Sequence, residues 1–202
     1  MTLNARTQRG YTAVELMMAI SIFGVGVAGI ISMEKVTAVS NAHAKNLAIA
    51  SHIAEAWLDN LANEGTQWNH PTTGDLLSDL NNDTIWLRQV STTQDAAANW
   101  FLPLYSGALN FGPAFDALGN PVNVALNPGA VAFCSHLRLS YLYQPGADGN
   151  GLIRAEVRVF WLRDGQTFAG DFCAAGAVPN INGNATAFHF VQKISAIREN
   201  NK

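Results

Sequence analysis

Glu15 stands at the head of LMMAISIFGVGVAGIISM, residues Leu16–Met33, a run of eighteen residues without a formal charge. A carboxylate beside such a run is suited to pairing with a cation in a low-dielectric setting, because an isolated charge in a membrane helix costs roughly 2.5–3.5 kcal/mol at the bilayer centre. A carboxylate near a helix N-terminus is also favoured by the macrodipole and reached by interfacial water. Five positions earlier, Gly10 closes an acid-free segment that contains Arg6 and Arg9.

Other chemistry is harder to build from this chain. It contains no GxSxG, HExxH, P-loop or CxxC pattern. Its histidines (His43, His52, His70, His136 and His189) are dispersed without ligand spacing, and Asp148-Gly149-Asn150 is only a fragment of a calcium loop. Cys134 and Cys173 are too few for a zinc ribbon or a disulfide-dense scaffold. No enzyme activity, metal or cofactor is expected. A net charge of −3 and a pI near 5.9 disfavour a nucleic-acid partner. The chain is 49% hydrophobic and only 13% charged, which excludes disorder as its general state.

The elements that carry these residues follow from periodicity. Eighteen helical residues rise about 27 Å, close to the roughly 30 Å hydrocarbon core of a bilayer. The N-terminal flank is basic and the far flank, Glu34-Lys35, is neutral, so the N-terminus is expected to stay cytoplasmic while the bulk of the chain crosses. Beyond the run, Val36, Val39, His43, Leu47, Ala50, Ala54, Trp57 or Leu58, and Leu61 recur at spacings of three and four. This amphipathic stripe predicts one helix over 11–63, about 80 Å long, its second half packed on a globular domain and ended by Asn63-Glu64-Gly65. His43 falls on the packed stripe as a core or interface histidine. Gly24, Ala28 and Ser32 line one side of the apolar half at i, i+4 and i+8, a spacing that lets helices approach closely in lipid. A secretory signal peptide and a plain signal anchor compete with this reading. The best cleavage candidate for the former, Val27-Ala28-Gly29, lies inside the run.

Residues 9–20, RGYTAVELMMAI, resemble the processing site of type IV prepilins: a short basic leader ending in Gly, a hydrophobic first mature residue, Glu at the fifth mature position, then an apolar run. Tyr11 departs from the commoner Phe but keeps an aromatic ring. The resemblance covers residues 5–63 well and the remainder loosely. It implies a leader at 1–10, a transmembrane half-helix at 11–33, a soluble amphipathic half at 34–64, and a globular periplasmic or extracellular domain at 65–202. It also implies cleavage after Gly10, N-methylation of Tyr11, and pairing of Glu15 with the N-terminal amine of a neighbouring subunit. Losing Arg6 and Arg9 leaves 10 basic residues against 15 acids and removes a cytoplasmic anchor. This chain lacks the proline often found in the family's apolar stretch, and Gly24, Gly26 and Gly29 are candidates for loosening the helix instead.

The fold class expected is α+β, a long N-terminal spine helix on a small antiparallel sheet. Residues 66–129 read as irregular, with helical pieces at Gly74–Leu80 and Thr93–Leu102 and with Trp68, Trp86 and Trp100 pinning them to the core. Sheet is expected within 131–198, each strand having one buried face. Val131, Phe133, Leu137, Leu139, Tyr141 and Tyr143 share that face on the first strand; Ile153, Ala155, Val157, Val159 and Trp161 on the second; Phe188, Phe190, Ile194 and Ala196 on the third. Residues 145–151 turn the first two into a hairpin. A pairing sum of 294 sets Arg138 opposite Glu156, whereas 296 sets it opposite Arg158, which is unfavourable. Cys134 lies on the outer face with His136 and Arg138, and in an oxidising periplasm it is expected to bond Cys173; two separate buried thiols are the alternative. A loop-closing bond near the C-terminus is similar to that of many pilins.

The helix segment NLAIASHIAEAWLDNL and the strand VRVFWL are similar to those of PilV-type minor pilins. That resemblance implies a low-abundance subunit that helps nucleate a type IV pilus for adhesion and twitching motility. The implied partners are other major and minor pilins, prepilin peptidase, the inner-membrane assembly platform and a tip adhesin. The implied location is the inner membrane and then the pilus, at or near its tip. A minor pseudopilin of type II secretion is the related alternative, and a secreted enzyme behind a signal peptide the unrelated one.

Overall fold

Thr12 opens the first helix: its Oγ1 accepts the Glu15 N–H at 3.3 Å, satisfying a donor that a helix N-terminus otherwise leaves unpaired. Helix α1 then runs Ala13–Gly65. The computed structural model describes residues 10–68, 80, 83–94, 99–144, 151–168 and 170–200. The chain divides into two compact units, Met1–Lys45 and Asn46–Lys202. In the first, every described residue is exposed. Ser21 and Thr37 donate their hydroxyls to the carbonyls of Met17 (2.8 Å) and Met33 (2.9 Å), so neither side chain needs a partner outside the helix.

In the second unit, the remainder of α1 meets a sheet of β1 (Ser91–Gln94), β2 (Ala114–Phe115), β3 (Pro121–Val122), β4 (Phe133–Tyr143), β5 (Leu152–Leu162) and β6 (Phe188–Arg198). Five strands are antiparallel in the order β3-β2-β4-β5-β6, and β1 pairs parallel with β4. This is the expected α+β arrangement, a long helix on an antiparallel sheet. Ala50, Ile53, Ala54, Trp57 and Leu61 of α1 pack in one core with Leu137, Leu139, Ile153, Val157 and Ile197. Trp57 meets Trp86 and Phe111 edge-on, with centroids 5.0 and 4.7 Å away, the arrangement that aromatic quadrupoles favour. The buried stripe begins only at Ala50: Val36, Val39, His43 and Leu47 are exposed. Gly65 ends α1 tight against β6, since a Cβ there would lie 2.5 Å from Ile197 Cγ2.

The hairpin register is the predicted one. Pairing runs from Cys134↔Phe160 through Arg138↔Glu156 to Tyr141↔Ile153 and shifts only before Tyr143↔Leu152. Glu156, 3% exposed, takes ion pairs from Arg138 and from Arg154 (3.0 Å) and a hydrogen bond from Gln192 (2.9 Å). A slipped register would set Arg138 against Arg158 and separate it from this acid.

Several expectations are corrected. Strands β4 and β5 are largely buried on both faces, because Phe168, Phe172, Cys173, Ala177 and Ile181 cover Cys134 and Phe160 on the outer one while Trp100 lies against Arg138 and Arg158. A second core there joins Cys134, Phe160, Phe188, Cys173 and Ile181, the last from helix α2 (Val178–Gly183). In β6 the apolar even-numbered residues do not face α1: Ile194 is 60% exposed and Phe190 37%. Val191 and Ile197 take the helix side, where Lys193 reaches the Glu55 carboxylate. Residues 93–94 are strand and 99–102 are not helical, with Phe101 bridging Leu137 instead. Leu80 is helical, but 74–79 and the turn at 145–150 lie outside the described residues. Trp68 and Trp86 are fully buried as expected, whereas Trp100 is half-buried and lies beneath the guanidinium groups of Arg138 and Arg158, 4.7 and 4.4 Å from its ring centroid.

Candidate assembly surfaces

The residues singled out from the sequence fall into two separate sets. Gly10 and Tyr11 precede α1, Tyr11 being 87% exposed, and Glu15 is the one acid of the helix's first turn. The pattern Thr12-x-x-Glu15 is that of a capping box, a signal that the sequence carries and that periodicity alone overlooks. Gly24, Ala28 and Ser32 lie along the exposed helix, and a Cβ at Gly24, Gly26 or Gly29 would meet nothing within 4 Å. Around that stripe Ile22, Phe23 and Val25 are 74, 72 and 76% exposed. The helix is long and apolar enough to cross a membrane, with a mean hydropathy of 2.2 in its richest stretch and none of that stretch buried. Apolar surface on this scale is compatible with a membrane or with a protein interface.

The second set belongs to the globular unit. Cys134 and Cys173 are disulfide-bonded, with an S–S distance of 2.04 Å across a sequence separation of 39. The Cys173 N–H also donates to Asp171 Oδ1 at 2.8 Å, so the bond anchors an organised turn over the outer sheet face. Cys134 and His136 share the outer sheet face as expected, but that face is covered and both are fully buried.

Beside the disulfide lies a polar cluster that alternation alone did not reveal. Arg158 Nη2 and Nε lie 2.8 and 3.3 Å from His136 Nδ1, so the imidazole offers that nitrogen as a lone-pair acceptor. Burial, and then the Arg158 charge, lower the His136 pKa from 6.5 to about 3. Arg158, 8% exposed, has its own pKa lowered to about 10 by burial and then by Arg138. On the opposite face, burial alone raises Tyr141 to about 12.

Glu64, part of the helix stop in the sequence, is also a latch. Its Oε1 accepts the Ile85 N–H at 2.7 Å, its Oε2 the Leu87 N–H at 2.8 Å, and each oxygen lies 3.1 Å from the Trp86 nitrogen. An acid in the last turn of a helix opposes the macrodipole; here a nest of backbone donors outweighs that. No local signal announces it, because the donors lie 21 to 23 residues away. Among the described residues, no three of His, Cys, Asp and Glu converge to hold a metal ion. No family model, curated protein or solved structure matches the chain.

Proposed function

We propose that this chain is a minor type IV pilin of the PilV type, a subunit that helps start a filament and present a tip complex for adhesion and twitching motility. One observation carries the reading: an uncharged, wholly exposed helical run headed by Glu15, five residues after Gly10. An anchor whose only task is to hold a domain at a membrane has no use for that carboxylate beyond capping its helix. A polymerising helix does gain, because the acid pairs with the amine that cleavage after Gly10 creates on a neighbour, and the pair fixes axial register between subunits. The stripe of Gly24, Ala28 and Ser32 supports close helix approach in lipid and then in a filament. The continuous helix and the sheet-packed globular unit, closed by a disulfide, are what such a subunit requires once exported.

In this account prepilin peptidase cuts the cytoplasmic leader, the chain waits in the inner membrane with its N-terminus inside, and the assembly platform moves it into the pilus. Replacing Glu15 by Ala tests the reading. Cleavage and methylation are expected to continue, while the amount of the chain in sheared pili falls about tenfold, the factor equivalent to 1.4 kcal/mol. Unchanged incorporation refutes the role given to Glu15.

A further inference from the structure

Strand β6 forms one edge of the sheet, and it is an unusually open one. Its eleven pairs with β5 run from Leu152↔Arg198 to Leu162↔Phe188 without a register shift. The flanking bonds, Glu199 N–H to Gly151 O and Arg163 N–H to Ala187 O, fix the odd-numbered residues as those that bond β5. Phe190, Gln192, Ile194 and Ala196 therefore turn their N–H and C=O groups away from the sheet, and among the described residues no backbone partner meets them. These four span about 20 Å of extended chain. Natural sheets blunt such edges with bulges, prolines, short strands or charges. Here β6 has no bulge and no proline, its lysine pairs with Glu55 on the helix side, and its arginine, Arg198, lies at the very end of the strand.

The face beside this edge has a definite electrostatic character. Register places Arg138, Arg154, Arg158 and Arg198 on it against the single acid Glu156, a surplus of three positive charges on a chain whose net charge is −3. Glu156 is already shared by Arg138, Arg154 and Gln192, and Arg158 meets no carboxylate among the described residues. The Arg158 guanidinium lies 6.0 Å from the Phe190 ring, which brings this charge to the border of β6.

We propose that β6 receives an extended, acidic segment of a different protein chain as an added strand. The free backbone groups recognise a polypeptide in strand conformation, which an anionic sugar or lipid headgroup does not match. Ile194 and Phe190 supply apolar contact, and Arg198, exposed at the end of β6 on this arginine-rich face, selects Asp or Glu on the incoming strand. A second copy of this chain is a poor occupant, since pairing β6 with β6 sets two arginine-rich faces side by side. The proposal concerns the globular unit alone and holds whether or not the chain polymerises.

The test uses the full chain in cells that make it, with p-benzoylphenylalanine at Ile194 and, as a control, at the exposed Leu126. After irradiation the joined peptides are sequenced by mass spectrometry. The expected adduct is one segment of another protein carrying Asp or Glu. Ala196→Pro removes an outward N–H without touching the β5 ladder, and Arg198→Glu reverses a charge. Each is expected to lower the Ile194 adduct about tenfold, equivalent to 1.4 kcal/mol, with the melting temperature unchanged. Adducts that persist in both variants overturn the proposal. So do adducts with lipid, saccharide, a non-acidic segment or a second copy of this chain, and a yield no higher than at Leu126.

Discussion

Removing the Glu64 carboxylate is expected to loosen the connection between the end of α1 and the segment at Ile85–Leu87. The substitution Glu64→Ala strips the acceptor from three backbone N–H groups, and the residues Trp86 and Leu87 are fully buried. A hydrogen bond to a charged group contributes about 1.5–3 kcal/mol, so three have a gross value of roughly 5–9 kcal/mol. Two effects offset part of it. Glu64, 7% exposed, no longer has to be desolvated, and the helix end sheds an acid that opposed its dipole by about 0.3–1 kcal/mol. A net loss of about 3–4 kcal/mol remains, in the range found when one partner of a buried charged contact is deleted. Urea unfolding of the full chain in detergent micelles, followed by the fluorescence of the buried Trp57 and Trp86, reads this directly. At a slope of about 2 kcal/mol per molar urea, the midpoint should fall by about 1.5–2 M. Glu64→Gln should cost nearly as much, because its amide keeps one oxygen and turns an NH2 group toward donors. A midpoint within about 0.5 M of the parent for Glu64→Ala, a change near 1 kcal/mol, refutes the latch.

Replacing both Cys134 and Cys173 by Ser reopens a loop with a sequence separation of 39; the chain-entropy relation gives a loss of about 4 kcal/mol, measured by the same unfolding assay. Acid should destabilise the globular unit through His136. Its pKa is about 3 when folded against 6.5 when free, so the unfolded chain binds the extra proton. That contribution is complete above pH 6.5 and is lost as the pH falls toward 3, with an upper bound near 5 kcal/mol. His136→Gln, which keeps an acceptor for Arg158, should flatten the stability–pH slope by about one proton over that interval. An unchanged slope shows that His136 does not control it.

The sequence is most informative where one interaction decides a geometry. The Arg138–Glu156 pair distinguishes two registers that hydrophobic alternation alone leaves equivalent, and the structure adopts the pairing that keeps it. Spacings of three and four find the helix, but not where along it burial begins, because Val36, Val39 and Leu47 match Ala50 and Trp57 in pattern while only the latter pair meets the sheet. Alternation fails for β6 through Lys193, a charged residue on the buried side that reaches Glu55, and through Ile194, an apolar one left exposed. The double burial of β4 and β5 is illegible locally, because the residues that cover the second face, Trp100 on one side and Phe172, Cys173 and Ile181 on the other, are distant in sequence, and Cys173 is bonded to Cys134. Of the residues proposed to act in assembly, Gly10 and Glu15 stand out by their spacing. The Glu64 nest and the Arg158–His136 contact depend on chain segments at least 21 residues apart.

The intact mass and N-terminal sequence of the mature protein test the pilin account most directly. The account predicts a chain that begins at Tyr11, carries one methyl group on its amine and retains the whole apolar run. An unmethylated chain that begins beyond Ala28, with that run removed, contradicts it and points to an exported soluble protein.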